Sequence, residues 1–137
     1  MLKTEPGDYS YEDLVRDKTT SWTGVTNNAA LAAIRTMRKG DEAFIYHTGD
    51  EKAIVGLAAV SRGPYEDPKN PGQTAKGEPK FAAVDLKPVR AAKSPVTLAA
   101  IKADKRFKEF ALVKQSRLSV MLVPPELDVV LRKLAGL

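Results

Sequence analysis

The sequence predicts an α+β protein, a mixed, mostly antiparallel sheet that curls into a small barrel with helices outside. Three observations predict it. Strand-like and helix-like segments follow one another in the order strand, helix, helix, hairpin, strand, helix, strand, helix. The hairpin and several other connections are too short for parallel crossovers, which take a dozen or more residues. Five or more strands with few polar alternations need cover on both faces, which a curled sheet with helices outside provides. The 137 residues read as a single domain over 1–137, long enough to bury a core without metals or disulfides.

Each element has its own signal. MLKTEP, residues 1–6, reads as a short edge strand closed by Pro6. SYEDLVRD starts a helix: Ser10 is the N-cap, Asp13 sits three residues on, and Leu14 and Val15 form the inward face. Lys18 to Ser21 is a polar exit. NNAALAAIRTMRKG is the clearest helix. Asn27 or Asn28 caps it, Leu31, Ile34 and Met37 recur at helical spacing, and basic residues fill the last turn before Gly40. DEAFIYHT and AIVGLAAVS are two strands joined by GDEK, and Gly56 within the second marks a bulge, a bend or the close approach of another group.

Residues 62–80 carry four prolines and three glycines among many charges and read as a long surface loop. KFAAVDLKPV is a third long strand, and Pro95 and Thr97 open a short helix that runs to about Lys102. FKEFALV suits more than one assignment. SRLSVMLV reads as a strand, with Leu118, Val120 and Leu122 alternating against Ser119 and Met121. PPELDVVLRKLAGL is a terminal helix with Pro125 in its first turn and Leu127, Val130, Leu131 and Leu134 on one face.

The composition excludes several kinds of chemistry. Cysteine is absent, so disulfides and thiolate metal sites are ruled out. His47 is the only histidine, which rules out zinc sites of the usual kinds within one chain. No Asp/Glu cluster has magnesium-ligand spacing, and no glycine-rich phosphate loop or dinucleotide fingerprint occurs. No metal and no cofactor are expected. No apolar run approaches the roughly 18 residues of a membrane span, and residues 1–10 lack signal-peptide character. A cytoplasmic monomer is the expectation. The net charge of +5 and pI near 9.5 favour a polyanionic partner such as nucleic acid. The basic residues gather loosely at Arg35, Arg38 and Lys39 and at Lys102, Lys105, Arg106 and Lys108.

Four places carry candidate chemistry. Trp22, the only tryptophan, stands among small polar residues just ahead of a helix. It fits either a packing role or the wall of a cleft, where an indole stacks on a nucleobase for about 1–3 kcal/mol. Asn27 and Asn28 offer amides for a base edge or for capping. Lys114 and Arg117 bracket Gln115 and Ser116, a setting that meets a phosphate and a base edge together, and Lys3 and Thr4 repeat it. His47 ends a strand. It reads as a histidine bonded to backbone, or as the base of a small hydrolase with Asp50 and Ser116 or Ser119, although no G-x-S-x-G elbow accompanies it.

Taken together, LKTEPGDYSYEDLVRD, SWTGVTN, IYHTGDEKAIVGLAAV and SRLSVM make the chain similar, over nearly its whole length, to the EVE domain of the PUA-like superfamily. The YTH domain is a more distant relative. The resemblance implies a PUA-like pseudo-barrel surrounded by helices and a pocket for one base taken out of its stack. EVE domains are associated with modified bases such as 5-methylcytosine and its oxidised forms in DNA, and YTH domains with 6-methyladenine in RNA. It implies a non-enzymatic module whose partner is DNA or RNA carrying a modified base. The family's K-[ST]-E-P falls on Lys3, Thr4, Glu5 and Pro6, and its pocket-wall tryptophan on Trp22. Its asparagine falls on Asn27, its Y-H-[ST] on Tyr46, His47 and Thr48, and its Q-[GS]-x-R-L-S-V on Gln115 to Val120. Phe81 stands where many relatives have tryptophan. The implied base pocket is Lys3, Thr4, Trp22, Asn27, Tyr46, His47, Thr48, Phe81, Ser116, Arg117 and Ser119; the implied phosphate contacts are Lys3, Arg35, Lys114 and Arg117. The chain departs from the family at Thr23 and Thr26, which replace an acid and an arginine. Lys114 stands for a usual arginine and keeps charge without the bidentate fork. Leu122 stands where proline is common.

Overall fold

A computed structural model describes all 137 residues. Local chemistry sets the first two helices. Ser10 and Asp13 form a reciprocal capping box: Asp13 N–H donates to Ser10 Oγ at 3.0 Å and Ser10 N–H to Asp13 Oδ2 at 2.8 Å. That starts α1 (Tyr11–Asp17). Asn27 caps α2 (Asn28–Thr36), its Oδ1 accepting from Ala30 N–H at 3.0 Å. Leu31, Ile34 and Met37 are buried as their spacing requires. In α1 the inward face is Tyr11 and Leu14; Val15 is exposed, because it lies about 100° around the helix from Leu14, on the far side of Tyr11.

Five strands form one sheet in the order β1-β3-β4-β5-β2. They are β1 (Leu2–Thr4), β2 (Thr20–Trp22), β3 (Glu42–His47), β4 (Ala53–Glu66) and β5 (Ala82–Thr97). β1 runs parallel to β3 and every other pairing is antiparallel. The sheet is thus mixed and mostly antiparallel, an open pseudo-barrel whose outer strands are β1 and β2. Both faces are covered, which is why the central strands read as nearly unbroken apolar runs. Ile45 joins one core with Tyr11, Leu14, Leu31, Ile34 and Val84, under α1 and α2. Phe44 and Tyr46 join a second with Ile101, Phe107, Leu112 and Leu131, under α3 (Leu98–Ala103), a 3-10 turn at Lys105–Phe107, α4 (Ala111–Lys114) and α5 (Pro125–Ala135). The segment FKEFALV is therefore turn and short helix. No helix is long and apolar enough to cross a membrane.

Several sequence expectations are corrected. The exit at Lys18 to Ser21 contains β2, three residues held against β5 with Trp22 opposite Val84. β4 continues through Pro64 to Glu66, so the long loop spans only 67–81, and β5 continues beyond Val89 through Pro95 to Thr97. The prolines fall where the β4–β5 ladder slips. Pro88 lies opposite Ala58 at one register shift, Pro64 lies between the paired Arg62 and Tyr65, and Pro95 lies between the paired Ala91 and Val96. Pro95 therefore does not open α3; Thr97 does, its Oγ1 accepting from Ala100 N–H. SRLSVMLV is not a strand. It meets the sheet only through β1, by a bridge between Val120 and Leu2, with Lys3 N–H on Ser119 O and Met121 N–H on Met1 O. A three-residue partner cannot support a longer ladder, and Leu122 is exposed. In α5 the buried line is Leu127, Leu131 and Ala135, with Val130 half-buried, while Leu134 faces solvent.

Gly56 has a definite reason. A Cβ there would lie 2.5 Å from Tyr11 Cε1 and Cζ. The ring cannot retreat freely, because Tyr11 Oη donates to Leu57 O at 2.8 Å. Gly56→Ala is expected to destabilise the fold by about 1–3 kcal/mol through overpacking, read as a lower urea midpoint at unchanged slope. A midpoint equal to wild type would show that the ring and the strand are not in contact.

Candidate nucleic-acid interface

The sheet leaves a seam between its outer strands, and the seam is a cleft of about 510 Å³. Lys3 and Thr4 of β1 border it on one side, Thr20 to Trp22 of β2 on the other, and Asn27 and Ser119 complete the rim. Trp22 is half-buried. It packs against the core beneath α1 and α2 and also lines the cleft. The indole is therefore neither free on the surface nor enclosed by aliphatic side chains.

Its setting is fixed from behind. The chain turns at Gly24, whose φ of 77° is a left-handed value suited to glycine. Gly24 N–H donates to Asp67 Oδ2 at 3.0 Å, and Lys69 N–H donates to Asp67 Oδ1 at 3.0 Å. Asp67 is buried, and these two N–H groups hold its carboxyl below the usual carboxylate range. The long loop thus fastens the segment that follows Trp22. Ser21 Oγ donates to Asp85 Oδ1 at 2.9 Å, which pins β2 to β5. Sequence reasoning missed Asp67, although the EDPKN stretch has the composition of an Asx turn. It also missed Tyr9, which borders the cleft and whose carbonyl accepts the Thr4 hydroxyl at 2.7 Å; no sequence signal marks it.

The rim presents polar groups in defined states. Thr4 Oγ1 donates to Tyr9 O, so towards a ligand it can only accept. Asn27 commits its carbonyl oxygen to Ala30 N–H, so its amide NH₂ remains to donate. Lys3 Nζ lies 3.1 Å from Ser116 O and 5.6 Å from the centre of the Tyr46 ring. Burial lowers its pKa from the ordinary lysine value.

Five of the sequence-predicted base-pocket residues meet at this cleft: Lys3, Thr4, Trp22, Asn27 and Ser119. Tyr46, Thr48 and Ser116 instead line a second cavity that shares Lys3. Arg117 and Lys114 border a shallow depression together with Asn27 and Ser116. Lys114 is paired with Glu109 Oε2 at 2.6 Å, whereas Arg117 makes no ion pair. Arg35 donates to the carbonyls of Pro79 and Lys80, clamping the long loop and not projecting to the rim. Phe81 is half-buried against the core with the Lys80 amine 5.6 Å from its ring centre, outside the cleft lining.

His47 is only 2% exposed and does not reach the cleft. Its Nε2 accepts Tyr11 N–H at 3.0 Å, and its Nδ1 lies 2.7 Å from Glu51 Oε1. A backbone N–H can only donate, so Nε2 carries the lone pair and Nδ1 the proton. Neither nitrogen is left to serve a ligand, and the hydrolase reading loses its base. No group of three or more His, Asp or Glu side chains is placed to hold a metal ion.

The open, mixed sheet of five strands with helices on both faces is a PUA-like pseudo-barrel. Residues 1–133 match the EVE domain, and the chain belongs to that family. Thymocyte nuclear protein 1 from chicken and from human are each 32% identical over 160 residues; the alignment covers 96% of this chain, 66% of the chicken protein and 71% of the human one. The chain thus spans about two thirds of these relatives. Among solved structures, a Rhodopseudomonas palustris protein is similar at 41% identity and a TM-score of 0.88, covering 99% of this chain and 91% of that one. The human THYN1 protein, solved in complex with 5-methylcytosine-containing DNA, is similar at 31% identity and a TM-score of 0.81, covering 96% and 94%.

Proposed function

We propose that this chain is a non-enzymatic nucleic-acid-binding module that takes one flipped, modified base, such as a methylated or oxidised cytosine, into the cleft beside Trp22. The observation that carries the reading is a half-buried indole lining a cleft of about 510 Å³ at the seam between β1 and β2. The volume lies within the range of small-molecule sites. The solved complex of the human relative with 5-methylcytosine-containing DNA supports the choice of ligand.

The energetics set what the cleft must do. Extruding a base costs a few kcal/mol. Stacking on Trp22 returns about 1–3 kcal/mol, and rim hydrogen bonds from the Asn27 amide and to the Thr4 hydroxyl contribute about 1 kcal/mol each. A buried methyl adds about 0.8 kcal/mol. Methyl burial alone therefore gives about a fourfold preference, and anything greater comes from shape. Lys3 and Arg117, together with the net charge of +5, act on the backbone, so affinity falls as salt rises.

Binding is tested with single-stranded oligonucleotides that differ only in one 5-methylcytosine, at several salt concentrations. The expected result is a preference of about fourfold or more for the modified strand at every salt concentration, with both affinities falling as salt rises. Equal affinities would refute the reading.

A further inference from the structure

The second cavity, of about 270 Å³, shares Lys3 with the Trp22 cleft. Tyr46 of β3 lies in its wall and is 3% exposed. Its hydroxyl has no hydrogen-bond partner in the protein, and no fully enclosed side-chain polar atom in the molecule lacks one. The Tyr46 hydroxyl therefore opens onto the cavity. Burial raises its pKa above the ordinary tyrosine value, which keeps it a donor.

The charged side chains that line the cavity are of one sign. Of the ten lining residues, three are lysines, Lys3, Lys52 and Lys102, and none is acidic. None of the three amines is in a salt bridge. Asp50 and Glu51 border the neighbouring surface depression, and Glu51 is engaged by His47. Lys52 sits at a left-handed φ of 47°, and its carbonyl accepts Leu98 N–H at 2.8 Å, which ties its turn to the start of the helix bearing Lys102. Thr48 and Ser116 add hydroxyls. The Glu5 carboxylate lies beside Gly49 of the lining and offsets part of this charge; one buried hydroxyl donor and three cations free of salt bridges outnumber it and match a multiply charged oxyanion.

We infer that this cavity is a phosphate site in which the Tyr46 hydroxyl donates to one oxygen while Lys3, Lys52 and Lys102 balance the charge, and that it takes a backbone phosphate beside the flipped base. The source of the phosphate rests on the function proposed above, with Lys3 as the bridge between the two cavities; the site itself does not. Inorganic phosphate is titrated into the ¹⁵N-labelled protein at constant ionic strength, and amide shifts are followed. Saturable shifts are expected at Thr48, Gly49 and Ser116, with affinity about tenfold weaker in Tyr46→Phe and binding lost in Lys52→Ala/Lys102→Ala. No saturable shifts, or shifts unaltered in both variants, would overturn the site.

In a second arm, unmodified single-stranded oligonucleotide is titrated against salt. The double variant is expected to lower the slope of log affinity against log salt by about one. Phosphate binding with an unchanged slope would overturn the backbone assignment and leave free phosphate or a mononucleotide as the ligand. If the wild type shows no base preference while the phosphate shifts persist, the base-cleft reading alone fails.

Discussion

Trp22→Ala is expected to weaken binding of a 5-methylcytosine oligonucleotide by roughly 5- to 150-fold, the loss of about 1–3 kcal/mol of base stacking. The variant also removes a half-buried ring from the core beneath α1 and α2, so its thermal midpoint falls and binding is read well below that midpoint. Trp22→Phe separates the two effects. A phenyl ring keeps a stacking face and part of the packing, and it should recover most of the affinity. The rest of the cleft survives either change, because Gly24 is held by Asp67 and Ser21 by Asp85 independently of the indole. Binding of the alanine variant at wild-type strength would mean that the base does not meet Trp22.

His47→Ala is expected to cost about 2–4 kcal/mol of stability, which lowers the thermal midpoint by roughly 10 °C in a chain of this size. Removing the ring leaves a cavity under α1 and strips Tyr11 N–H of its acceptor, and a buried unpaired donor costs about 1–3 kcal/mol by itself. His47→Gln should recover part of the loss, since its carbonyl oxygen can accept the same N–H. Thermal unfolding measures both. An alanine variant with wild-type stability and altered ligand chemistry would return His47 to a functional role. This result separates a binding module from a hydrolase, because a general base must keep a lone pair free for substrate.

How much of this was legible in the sequence depends on whether the signal was local. The Ser10–Asp13 box, the Asn27 cap and the β3–β4 hairpin are set by residues a few positions apart, and the structure follows them. Gly56 signalled a close approach, but only the fold names Tyr11 as the group approaching. β2 was invisible because three residues carry no period; it exists because β5 offers an unpaired edge to Thr20, Ser21 and Trp22. SRLSVMLV failed in the opposite way. Its alternation is that of a strand, but the only edge beside it is the three-residue β1. The prolines at 64 and 95 argued against strand and were overruled, because the ladder slips where they sit.

The candidate site divides similarly. Lys3, Thr4, Trp22, Asn27 and Ser119 are scattered over more than a hundred positions and were grouped by resemblance, and the seam of the barrel brings them together. Tyr46, Thr48 and Ser116 belong to the same motifs but open onto the neighbouring cavity. A strand's alternation separates its two faces, and resemblance alone could not say which face of β3 meets which cavity. The partners of Arg35 and Lys114 were likewise unreadable, since the carbonyls of Pro79 and Lys80 and the carboxylate of Glu109 reach them only through the folded loops.

Because Trp22 is the only indole in the chain, its fluorescence reports on the cleft without a label. A 5-methylcytosine oligonucleotide is titrated into the wild-type protein, with acrylamide quenching recorded free and at saturation. Emission should fall as the strand binds and acrylamide access to the indole should drop, both to a smaller extent with the unmodified strand at equal occupancy. Saturable binding with emission and acrylamide access unchanged would contradict a base seated against Trp22.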